Sequence, residues 1–74
     1  MTKYTLQSAG FCHAPSLVSW ARNSYKFDKN PKMIDILVKG YGLPKDVTVR
    51  LLNGDIEFHV VGLDVIFYVQ DVAL

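Results

Sequence analysis

The stretch DIEFHVVGLDVIFYVQ, residues 55–70, constrains this chain more than any other. Apolar residues recur at every second position on either side of Gly62-Leu63, a glycine-first pair of the kind that closes two-residue hairpins. Setting the turn there places Val60 opposite Val65, Phe58 opposite Phe67 and Ile56 opposite Val69. All six then share one face, while His59 with Ile66 and Glu57 with Tyr68 share the other. A slip of one residue would turn the whole apolar set outward, so pattern and turn together fix the register.

The preceding segment, LPKDVTVRLLNGD, reads two ways. As a strand, Asn53-Gly54 is a second hairpin turn that pairs Leu51 with Ile56, Arg50 with Glu57 and Val49 with Phe58. As a helix, Pro44 lies in the first turn, Val47 and Leu51 are four apart, and Gly54 is a natural stop. The run of β-branched residues favours the strand; the start and stop signals favour the helix. Both readings of residues 44–53 stay open.

The first half has helical period. In PSLVSWARNSYKF, Pro15 stands where a first helical turn tolerates it, and Leu17, Val18, Ala21 and Tyr25 form a stripe with Trp20 on its flank. This predicts a helix over residues 15–27. In DKNPKMIDILVKGYG, Asn30 is the expected N-cap and Pro31 the first helical residue. Met33, Ile34, Leu37, Val38 and Tyr41 give one apolar face, Asp35 and Lys39 are spaced for an ion pair, and Gly40 and Gly42 end the helix. A link of about three residues makes the two helices antiparallel neighbours. Near the N-terminus, Lys3 to Leu6 alternates and reads as a short edge strand. The expected fold is α+β: one compact domain, residues 1–74, with two N-terminal helices, three if residues 44–53 are helical, packed on one face of a small antiparallel sheet built around the C-terminal hairpin.

A chain of 74 residues lies near the lower limit for a core that holds a fold unaided. Such a core rarely supplies more than about 3–5 kcal/mol. The single cysteine cannot form an intramolecular disulfide, and Cys12, His13 and His59 lack the paired spacing of a structural zinc site, so no metal and no cofactor are expected. Self-association or docking on a partner is the remaining help. The longest apolar run, Val65 to Val69, is far short of the roughly 20 residues a membrane span needs. The N-terminus has no apolar stretch behind its lysine, and a cytoplasmic protein is the expectation.

Little of the chain offers chemistry. Cys12 and His13 are adjacent, but neighbours in sequence point apart, and no third group is placed to orient a nucleophile. No carboxylate pair has motif context, and the glycines match no phosphate loop. Neither an enzyme nor a small-molecule substrate is expected.

Two surfaces compete for a binding role. Residues 1–50 carry eight Lys and Arg against three acids, a net +5; residues 51–74 carry four acids and no base, a net −4. Arg22, Lys26 and Lys29 fall at i, i+4 and i+7, with Trp20, Tyr25 and Phe27 among them and Lys32 just beyond. Cations for phosphates and aromatics for stacking are the ingredients of nucleic-acid binding, and equally of a solvated amphipathic helix. The second surface is the last strand with its tail, apolar on both faces and followed by Val72 and Leu74. In a meander it would be an edge, which must be covered by Lys3–Leu6 or by another chain. Its outer face would hold Ile66 and Tyr68 beside Glu57, His59 and Asp64, with Asp55 and Asp71 at the rim. The leading expectation is a small non-enzymatic protein-binding module, acting as inhibitor, adaptor or subunit; an inhibitor encoded by a phage or mobile element would fit. The alternative is a nucleic-acid-binding accessory protein using the basic first helix.

Overall fold

The C-terminal hairpin forms in the expected register, but its second strand is the middle of the sheet. The computed structural model describes residues 1–10 and 12–70. Its elements run β1 (Thr2–Leu6), α1 (Ala14–Asp28), α2 (Lys32–Tyr41), α3 (Lys45–Leu52), β2 (Phe58–Val61) and β3 (Asp64–Val69). The sheet order is β1-β3-β2, antiparallel throughout. The architecture is therefore α+β, with three helices on a three-stranded sheet. Asp71, Val72 and Leu74 of the expected tail surface lie outside the described residues.

In the hairpin, Phe58 pairs with Phe67, His59 with Ile66 and Val60 with Val65. Gly62, at φ 64°, supplies the positive φ that the first position of such a turn needs. β2 is shorter than the pattern implies. It begins at Phe58, so Ile56 and Glu57 precede the ladder; Ile56 is still buried in the core. Val60 departs further from expectation. It shares the inner face with Phe58, yet is 55% exposed while its partner Val65 is fully buried, because β2 is an edge strand and the helix covers β3.

The apolar strand β3 is not an edge. Thr2 to Leu6 pairs with it along its other side, Tyr4 opposite Phe67 and Leu6 opposite Val65. The edge to be covered is thus covered by the chain's own N-terminus, and β1 and β2 become the edges. The Tyr4 and Phe67 rings stack with centroids 5.4 Å apart, closing the sheet side of the core.

The helix side comes from one stripe on each helix. Val18 and Ala21 of α1, Met33 and Leu37 of α2, and Val47, Leu51 and Leu52 of α3 are buried together with Leu6, Val65 and Phe67. Residues 44–53 are resolved in favour of the helix. Pro44 stands at the N-cap, one residue earlier than a first-turn proline, and Asn53-Gly54 follows the helix end instead of making a hairpin turn. In α2 the N-cap is Pro31 and the helix starts at Lys32, one residue later than expected; Asn30 stands before the cap, its side chain accepting the Lys32 N–H at 3.1 Å. Gly40 lies within α2, and Gly42 alone ends it. Asp35 and Lys39 form no ion pair; both side chains stay in solvent, where such pairs contribute little.

Candidate functional site

The corner leading into α1 is structural before it is anything else. Ala9 and Cys12 exchange both backbone hydrogen bonds, at 3.0 and 2.9 Å, and turn the chain from the sheet toward the helix. Ser8 ties this corner to the hairpin. Its N–H donates to Asp64 Oδ1 at 3.1 Å, its hydroxyl donates to the Leu63 carbonyl, and its Oγ accepts the Ala14 N–H at 2.8 Å. Asp64 therefore holds a loop, and is half-buried in doing so.

His13 takes the N-cap position of α1, and its Nδ1 meets Ser16 Oγ at 2.5 Å. The half-buried thiol of Cys12 is hydrogen-bonded to the Tyr41 hydroxyl at the end of α2. Burial, then the hydrogen bond and the charge of Cys12, push the Tyr41 phenol up to about 12. The phenol is thus protonated at neutral pH and shares its hydrogen bond with the thiol. Sequence spacing could not pair these residues, which are 29 positions apart. Among the described residues, no group of three His, Cys, Asp or Glu side chains could hold a metal ion.

The outer face of the sheet is built from alternate residues of three strands. Ile66 lies between Thr5 and His59, and Tyr68 lies opposite Lys3. Tyr68 is 48% exposed and His59 is exposed, whereas Ile66 is half-buried. Glu57 is exposed just before β2 begins. The face thus carries Lys3, which the acidic rim expected from the C-terminal half did not include. Its apolar part continues to the hairpin tip, where Val61 is 56% and Leu63 66% exposed beside Val60. Sequence reasoning placed Val60 inward and left Leu63 as a turn residue. The period of two gave the face of Val60 but not its place on an edge strand, where covering is least.

The basic residues of α1 divide. Arg22, Lys26 and Lys29 line one cleft together with Ser19, Asn23, Leu52, Asn53, Gly54 and Phe58. Trp20 is outside it, in a shallow depression with Cys12, His13, Ser16 and Leu17, and Lys32 lines neither. Trp20 therefore stands apart from these cations, while the Lys29 ammonium lies 5.4 Å from the centroid of the Tyr25 ring. No helix among the described residues is long and apolar enough to cross a membrane. Comparison with protein-family models, curated proteins and solved structures finds no match for this chain.

Proposed function

We propose that this chain is a non-enzymatic protein-binding module, an inhibitor, adaptor or subunit that works by occupying a partner's surface. The observation that carries this reading is the apolar stripe left uncovered on the sheet, running from Tyr68 past Ile66 to Val61 and Leu63 at the hairpin tip. Tyrosine and branched aliphatics beside a few polar groups make up the centre of many protein interfaces. Glu57 and Lys3 both border the stripe, so the partner surface that fits is apolar with charges of both signs at its margin. A reducing compartment such as the cytoplasm suits a chain whose one cysteine is a free thiol. The nucleic-acid alternative, through Trp20, Arg22, Lys26, Lys29 and Lys32, has less support, since Trp20 and Lys32 stand apart from the clustered cations.

The test is a comparison of variants. Tyr68→Ala and Val61→Asp, both at exposed positions, should keep the fold and lose the partner recovered by pull-down from the native host, with or without nuclease. Sedimentation of the same proteins shows whether that partner is a second copy of the chain. Arg22→Glu with Lys26→Glu should leave the interaction in place. Binding lost in that double variant but not in the other two, and lost from the unmodified chain on nuclease treatment, would reverse the assignment.

A further inference from the structure

The cleft beside the second half of α1 is a separate matter. Arg22 and Lys26 face it from one stripe of the helix and Lys29 from the C-cap, its ammonium 5.4 Å from the Tyr25 ring centroid. Asn53, Gly54 and the first residue of β2, Phe58, form the other wall of the cleft. Its volume is about 380 Å³, within the range of small-molecule sites. None of its lining residues is a carboxylate, and none of the three cations forms an ion pair or a side-chain hydrogen bond among the described residues. Like charges one turn apart repel, so the fold holds three of them together at some cost to itself.

Arg22 is placed. Its guanidinium carbon lies 5.3 Å from the centroid of the Phe58 ring. It also packs on Gly54, where a Cβ would come within 3.1 Å of Nη2. Gly54 has φ 85°, a backbone conformation that favours glycine, and a side chain there would push the guanidinium aside by a few tenths of an ångström. Lys29 sits at φ 51°, a left-handed position that glycine or asparagine would occupy with less strain.

The ordinary reason for cations near a helix C-terminus is to satisfy its last carbonyls. Here the backbone meets part of that need. The Lys29 N–H donates to the Tyr25 carbonyl at 2.9 Å, and the N–H groups of Asn53, Gly54 and Asp55 donate to the carbonyls of Val49, Leu51 and Arg50. The side-chain donors of Arg22 and Lys26, and the amides of Asn23 and Asn53, line the cleft and hydrogen-bond to no other described residue.

We propose that this cleft binds a compact phosphate ester of nucleotide size, with Arg22, Lys26 and Lys29 on the phosphate oxygens and Asn23 and Asn53 at the rim. Arginine's planar fork suits two phosphate oxygens at once, and the lysines add point charge. A compact ligand fits better than a nucleic-acid strand. A strand leaving past Gly54 meets exposed Asp55 and Glu57, and Trp20 is not in the cleft to stack a base.

The experiment is a titration of the ¹⁵N-labelled full chain with ADP, at fixed ionic strength, against sodium chloride and a thymidine oligonucleotide. ADP should shift the amide signals of Asn23, Lys26, Lys29, Asn53 and Gly54 saturably, and Arg22→Gln or Lys26→Gln should each weaken it about tenfold. Lys29→Gly separates binding from folding: it relieves the left-handed residue, so the melting temperature should hold or rise while ADP affinity falls. Shifts that fail to saturate, or that sodium chloride reproduces, would overturn the proposal. So would an oligonucleotide binding tenfold tighter than ADP, which would make the cleft part of a nucleic-acid track.

Discussion

Cys12 and Tyr41 show how two side chains far apart in sequence can tie two elements together. The sulfur and the phenol hydroxyl are bonded across the junction of the α1 corner and the end of α2, so each satisfies a polar group the other partly buries. The folded chain holds the Tyr41 phenol above its ordinary value of 10.0, at about 12, chiefly through burial. The folded state therefore favours the protonated form. The stability this contributes is fully present below pH 10 and is lost as pH rises toward about 12. Phenolate absorbance recorded on the wild type and on Tyr41→Phe should give a difference curve with a midpoint near pH 12. A midpoint at 10 would mean that Tyr41 is as free as a tyrosine in solution. Nothing in the sequence singles out Tyr41 for this role; it reads only as one of five residues on an apolar helix face.

At the scale of elements, α3 is where local signals conflicted and packing decided. Val47, Thr48 and Val49 favour a strand by propensity, and Asn53-Gly54 offered it a turn. The helix wins because it buries Val47, Thr48, Leu51 and Leu52 on one side, which a strand, with alternate residues on opposite faces, could not do. Thr48 is accommodated because its hydroxyl donates to the Pro44 carbonyl at 2.9 Å. That carbonyl also accepts the Thr48 N–H at 3.0 Å, so it stays bonded without the hydroxyl. Thr48→Val should thus change stability by no more than about 0.5 kcal/mol, read from the urea midpoint. A loss above about 1 kcal/mol would show the side-chain bond to be essential. The hairpin, by contrast, was legible because a two-residue turn and a period of two specify it locally. The cations of α1 were legible as a spacing, but the cleft was not: its second wall depends on the segment whose period was ambiguous.

For the whole molecule, the order β1-β3-β2 makes the first strand a neighbour of the last, and pairing so distant in sequence leaves no local signature. Its consequence is cooperative. Leu6 is fully buried, Tyr4 stacks on Phe67, and the ladder with β3 runs from Thr2 opposite Val69 to Leu6 opposite Val65. Deleting residues 1–6 would remove a core leucine, which alone costs about 2–5 kcal/mol, and would bare an apolar strand as an edge. A chain of this size has about 3–5 kcal/mol to lose. The truncated protein should therefore show no cooperative thermal transition, should aggregate on concentration, and should regain dispersed amide signals when a peptide of residues 1–8 is added in trans. A truncated chain that still melts sharply as a monomer would mean that the helices and the hairpin form a self-sufficient core. In that case β3 would be an open edge after all, and strand addition by a partner would become the better account of how this protein binds.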